Sequence, residues 1–144
     1  MGKTTLFKTI SSLLEKIEGD IILEKLSIDD TPELSKKLSL VLTDKIVLGG
    51  IDIETLIAMG RHPYSGRFGK LSPEDKNMVA HSIGLLGLEK LRLKTLDQVS
   101  DGERQKAMIA RAIAQDTPLV LMDEPTAFLD FPSKIEMLSS LRKL

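Results

Sequence analysis

The run Leu119-Val120-Leu121-Met122, followed at once by Asp123 and Glu124, constrains this chain more than any other feature. Four consecutive apolar residues read as a strand buried on both faces, the habit of a parallel sheet with helices covering it. In open α/β sheets ligands sit at the carboxyl ends of strands, and two acids fall there. The rest of the composition allows such a fold. With 144 residues, 42% apolar and 28% charged, the chain has about the size and balance of one globular domain. Its apolar stretches are too short to span a bilayer.

Helical and extended segments alternate in a way that suits an α/β protein. Leu6, Ile10, Leu13 and Leu14 recur at helical spacing, predicting a helix from Lys3 to about Lys16. Asp20 to Leu23 reads as a short strand. Thr31 before Pro32 is an N-cap signal for a short helix, followed by a strand from Leu38 to Leu42 that ends at Thr43. Gly49-Gly50 breaks the chain, and Ile53, Leu56, Ile57 and Gly60 give a short helix leading to a loop, Arg61 to Gly66. Ser72, Pro73 and Asp75 start another helix, with Met78, Val79, Ile83, Leu85 and Leu86 on its buried face. Residues 45 to 105 therefore read as mainly helical. A further helix runs from Gly102 to Gln115 ahead of the buried strand, and a last one begins near Pro132.

Three motifs carry chemistry. Gly2-Lys3-Thr4-Thr5 is the back half of a phosphate-binding loop, in which backbone N–H groups and a helix N-terminus cradle phosphates, the lysine reaches the terminal ones and a hydroxyl holds Mg²⁺. A surface turn before an amphipathic helix uses the same residues. Asp123 at the strand end can anchor a metal ion, while Glu124 positions and deprotonates a water; the plainer reading is a polar turn closed by Pro125. Ser100-Asp101-Gly102-Glu103 is a capping box, and its helix N-terminus, with the Ser100 hydroxyl and the Gly102 N–H, also suits phosphate oxygens.

Other classes fall away. There is no Cys, so disulfide scaffolds and thiolate metal sites are excluded. A net charge of −1 with interspersed signs, one Tyr, four Phe and no Trp argue against nucleic acid as a partner. His81 falls on the helix from Ser72 with no second histidine at ligand spacing, and reads as a surface or packed residue.

In order and spacing, Gly2 to Thr5, Val99 to Gln105, Leu119 to Pro125 and Leu129-Asp130 resemble the ATPase subunit of ABC transporters over essentially the whole chain. They match its Walker A end, signature motif, Walker B motif and D-loop. The segment Ala58 to Gly66 resembles the one found in ATPases of iron-siderophore, haem and cobalamin importers. The resemblance implies an α/β P-loop NTPase fold, a RecA-like parallel-sheet core with an inserted helical subdomain, incomplete at both termini. Residues 1–44 and 116–144 would form the ATP-binding core, and 45–115 the helical subdomain with the signature.

The implied cofactors are ATP and Mg²⁺. Glu124 is the catalytic base by this resemblance; Gly2, Lys3, Thr4, Thr5, Ser100, Gly102, Glu103 and Asp130 bind nucleotide; Thr4, Asp123 and, at the Q-loop position, Thr43 serve the metal. The implied partners are membrane permease subunits and a second copy of the ATPase, the two sandwiching ATP, with the protein cytoplasmic on the inner face of the membrane. His62 and Tyr64 would then lie near the permease contact, or else form an ordinary loop with a packed tyrosine. Two departures stand out. Thr43 replaces the usual Q-loop glutamine, and the signature has Asp101 and Glu103 where glycine and glutamine are usual.

Against the family pattern the chain lacks the strand entering the P-loop, the aromatic that stacks on adenine and the switch histidine. Unpaired buried backbone groups cost about 1–3 kcal/mol each against a total stability of about 5–15 kcal/mol, so the fold is expected to be marginal. Three readings follow: the motor of an iron-complex importer, an inactive remnant or misassigned start of such an ATPase, or a soluble ABC ATPase outside transport.

Overall fold

The computed structural model describes residues 2–23, 26–28, 31–42, 49–65 and 69–142. Helix α1 (Lys3–Ile10) starts at Gly2, whose φ of 106° lies where only glycine sits without strain. It ends well before Lys16, the limit its periodicity predicts. The Ser11 hydroxyl donates to the carbonyls of Phe7 at 2.9 Å and Lys8 at 3.2 Å, and Ser12 turns into the left-handed region at φ 59°. Such local bonding competes with helix continuation. No residue of α1 is buried, and Leu6 is 55% exposed.

The strand expected over Asp20 to Leu23 shortens to β1 (Ile22–Leu23), which forms an antiparallel hairpin with β2 (Leu26–Ser27), an element the sequence did not announce. After the single turn α2 (Thr31–Leu34) comes β3 (Leu38–Val41). Among the described residues three α-helices then intervene, with short 3-10 segments between them, before the chain returns to the sheet. In α3 (Ile53–Ala58) the Asp52 carboxylate accepts the Thr55 N–H at 2.7 Å. Both predicted capping boxes form, Ser72 with Asp75 opening α4 (Pro73–Leu85) and Ser100 with Glu103 opening α5 (Asp101–Ala114). The expected loop after α3 is instead a 3-10 helix over Met59–Tyr64.

Strand β4 (Leu119–Met122) lies parallel to β3, pairing Leu38 with Leu119 through Val41 with Met122. All four of its residues are half-buried, where the sequence predicted burial on both faces. Among the described residues its only strand neighbour is β3. Helix α6 (Phe131–Leu141) follows, its Ser133 N–H donating to the Asp130 carboxylate at 3.0 Å.

The main core lies among the three middle helices. Ile53, Leu56 and Ile57 of α3, Val79 and Ile83 of α4, and Ile109 and Ile113 of α5 pack together, joined by Val41 of β3 and Met137 of α6. A smaller cluster of Ile28, Leu34 and Leu38 sits beneath the hairpin. Helix α5 touches α3, α4 and β3, so it ties the helical layer to the sheet.

Candidate nucleotide site

The parallel pairing of β3 and β4 carries Asp123 to the sheet's carboxyl end, where its N–H donates to the Val41 carbonyl at 2.9 Å. Its side chain, 6% exposed, accepts a hydrogen bond from the Thr4 hydroxyl. These residues are 119 positions apart in sequence. The structure thus joins the helix start led by Gly2, Lys3 and Thr4 to the strand-end acid. A hydroxyl beside a carboxylate is an all-oxygen pair of the kind a hard divalent cation takes, alongside water and ligand oxygens. Among the described residues no group of three or more His, Asp or Glu gathers to hold a metal ion by itself.

Glu124 follows directly, exposed, with φ 45°, a left-handed backbone that turns the chain sharply off the strand. Its carbonyl accepts the Ala127 N–H at 3.0 Å, closing the turn. Lys3 and Thr5 are also exposed, on the first turn of α1. Thr43 lies outside the described residues.

Ser100, Gly102, Glu103 and Asp130 gather elsewhere, around an open cavity of about 490 Å³ also lined by Lys106 and Phe128. None of Gly2 to Thr5 lines it. The Ser100 hydroxyl, expected to be available to a ligand, donates to the Glu103 carboxylate at 2.9 Å, and the Ser100 N–H donates to the same oxygen at 2.8 Å. Those bonds, the backbone one foremost, hold Glu103 below the ordinary carboxylate range. Asp130 is likewise lowered by its bonds with Ser133. Gly102 sits close to its neighbours, since a Cβ there would come 3.0 Å from Leu129 Cδ2 and 3.3 Å from the Phe128 carbonyl. Asp101 points its carboxylate to Arg104 at 3.1 Å, which gives that departure from the family pattern a local partner.

Sequence reasoning missed a buried polar node at the opposite end of α5. Arg61, 6% exposed, donates through Nε to Asp75 at 2.8 Å and through Nη1 to the Ala114 carbonyl at 2.9 Å. Gln115 donates to the carbonyls of Ser35 at 2.6 Å and Leu38 at 3.0 Å, tying the end of α5 to the start of β3. The one available signal was the Ser72–Asp75 capping box, which commits one Asp75 oxygen and leaves the other for a cation. Gln115 carried none. His62 is exposed, and the half-open Tyr64 ring lies 4.1 Å beneath the Arg61 guanidinium.

A glycine-led helix start beside a strand-end carboxylate is an arrangement of the α/β P-loop fold. The family model described as ABC transporter matches residues 1–127, and the chain belongs to that family. An uncharacterized ABC transporter ATP-binding protein of Methanocaldococcus jannaschii is 42% identical over 99% of this chain and 50% of its own length. The ferric enterobactin transport ATP-binding protein of Escherichia coli is 32% identical over 99% of this chain and 54% of its own. A solved ATP-binding cassette, dimeric and in a post-hydrolysis state with ADP and Pi, matches with a TM-score of 0.83 at 26% identity, over 99% of this chain and 64% of that one. The chain spans about half the length of the curated relatives it matches. Its fold is that of the ABC ATPase cassettes, with strands and helices of the core present in part.

Proposed function

We propose that this chain supplies ATP-binding and hydrolysing machinery to an ABC importer of iron complexes, such as a ferric siderophore, haem or cobalamin. The observation that carries the reading is the Thr4–Asp123 hydrogen bond, which unites the two motifs that hold phosphate and metal. Gly2, Lys3, Thr4 and Thr5 receive the phosphates, with α1 directing its N-terminal N–H groups toward them. Thr4 and Asp123 would hold Mg²⁺, which supplies charge neutralisation on the phosphate oxygens. Glu124 takes a proton from the water that attacks the terminal phosphorus, giving ADP and phosphate.

Ser100, Gly102, Glu103 and Asp130 line a cavity apart from the P-loop residues, which supports a two-copy arrangement: each nucleotide meets one copy's P-loop and the other's signature. In that arrangement residues 1–44 and 116–144 act as the ATP-binding core and 45–115 as the helical subdomain. The exposed His62–Tyr64 face is the side offered to the permease, at the cytoplasmic surface of the membrane. No helix among the described residues is long and apolar enough to cross a membrane, in keeping with attachment through such a partner. The choice of iron complexes rests on relatives such as the ferric enterobactin transport protein.

A thermal melt with and without Mg-ATP tests the binding step, because a ligand bound only by the folded state raises the midpoint. A cooperative transition that nucleotide shifts upward supports the reading; a cooperative transition indifferent to nucleotide sinks it for this chain. Hydrolysis by the protein carrying Glu124→Gln should fall at least about a hundredfold. An unchanged rate removes Glu124 from its role.

A further inference from the structure

An open cavity of about 330 Å³ lies apart from the signature group and the phosphate-binding motif: none of Gly2 to Thr5, Ser100 to Glu103, Asp123 or Glu124 lines it. Its walls are largely apolar. Leu38 and Leu40, at alternate positions of β3, share one face of the strand, Met108 of α5 joins them, and Leu13 stands on the turn after α1. The polar groups lining it come from Ser11, Ser35, Arg111 and Gln115. Three of these four are already committed within the fold. The Ser11 hydroxyl donates to the Phe7 carbonyl at 2.9 Å and the Ser35 hydroxyl to the Pro32 carbonyl at 2.7 Å, while the Gln115 side-chain nitrogen donates to the carbonyls of Ser35 and Leu38.

Arg111 is the exception. Among the described residues its guanidinium has no acid and no carbonyl as partner, and burial alone holds it below the ordinary arginine range. A half-buried cation against apolar walls is costly until an anion meets it, and the planar fork of arginine matches a carboxylate. No other lysine, arginine or histidine lines the cavity, so its charge suits a single negative group rather than a polyphosphate. The apolar remainder suits a hydrocarbon tail. At roughly 30 Å³ for each non-hydrogen atom, the volume of a water molecule in the liquid, the space takes about ten such atoms. We propose that this cavity binds a medium-chain fatty carboxylate of about eight carbons, its head group on Arg111 and its tail against Leu38, Leu40 and Met108.

Octanoate titrated into the whole chain, with isotope-labelled methionine methyl groups followed by NMR, reads the site directly. Met108 lines the cavity, whereas Met59 and Met137 do not. The Met108 signal should move saturably while that of Met59 stays in place. Octanol, which has the tail without the charge, should bind at least about tenfold more weakly. From hexanoate to octanoate each added methylene should tighten binding by about threefold to fourfold. Arg111→Leu removes the charge and keeps an apolar wall, so octanoate affinity should fall by about tenfold or more while octanol affinity stays within about twofold. The melting midpoint of that variant should hold, because the guanidinium has no partner in the fold to lose. A native chain that binds octanol as tightly as octanoate, or that shows no saturable shift at Met108, overturns the proposal, and that comparison needs no variant. Undiminished octanoate binding by Arg111→Leu overturns it as well, as does loss of cooperative melting in that variant, since Arg111 would then serve the fold. Octanoate binding here would stand whether or not the chain binds Mg-ATP, since none of Gly2 to Thr5, Asp123 or Glu124 lines the cavity.

Discussion

The helical layer and helix α1 are built to opposite standards. In the helical layer Ile53, Leu56 and Ile57 of α3 and Ile109 of α5 are wholly buried, α4 and α5 open with capping boxes, and Arg61 joins the N-terminus of α4 to the C-terminus of α5. Helix α1 has no fully buried residue, ends after eight residues, and meets the rest of the molecule through the Thr4–Asp123 hydrogen bond and the partly buried Ile10. Between the turn that follows it and the β3–α5 layer lies an open cavity of about 330 Å³, lined by Leu13, Leu38, Leu40 and Met108. The densest packing therefore resides in the helical layer that carries the signature motif, and α1 contributes little to it.

Substitutions sharpen this contrast. Ile109→Ala removes a wholly buried side chain from the centre of the helical layer and should cost about 3 kcal/mol in urea unfolding. A loss much below about 1 kcal/mol would show that the layer is loosely packed after all.

Acid should act next, and on the same layer. Asp75 is held below the ordinary carboxylate range, first by the Arg61 hydrogen bond and then by the Ser72 N–H. A carboxyl with a lowered folded value contributes fully above its unfolded value, near pH 4, and loses that contribution as pH falls through the folded one. The melting midpoint should thus decline below about pH 4, and Asp75→Asn should flatten that decline at the expense of stability near neutrality. A decline of equal steepness in the variant would assign the acid sensitivity to other carboxylates, Glu103 and Asp130 among them.

The smallest effect belongs to α1. Leu6→Ala alters a side chain that is 55% exposed, and stability should change by less than about 0.5 kcal/mol. A loss as large as that of Ile109→Ala would mean that α1 is part of the core and would erase the contrast.

Much of this molecule was legible before its structure. Ser72 with Asp75 and Ser100 with Glu103 announced two helix starts because a capping box is satisfied within four residues, and both form. The strands at Leu38 and Leu119 were visible as apolar runs. The premature end of α1 was not, because apolar spacing through Leu14 continues past the point where Ser11 turns its hydroxyl back onto the helix. Nor was the 3-10 helix at Met59–Tyr64, since its conformation is held by Arg61 reaching Asp75 and Ala114, 14 and 53 residues away.

By itself the sequence determined which local elements form and where several of them start, because caps, glycine turns and apolar periodicity act over a few neighbours. Tertiary structure alone decided that Thr4 would face Asp123, that the signature group would gather at a separate cavity, and that one arginine would join three elements. The physical reason is range: those contacts depend on a parallel register between strands whose paired residues, Leu38 with Leu119 onward, lie far apart in the chain, and on buried charges finding partners, and neither leaves a periodic trace in the sequence.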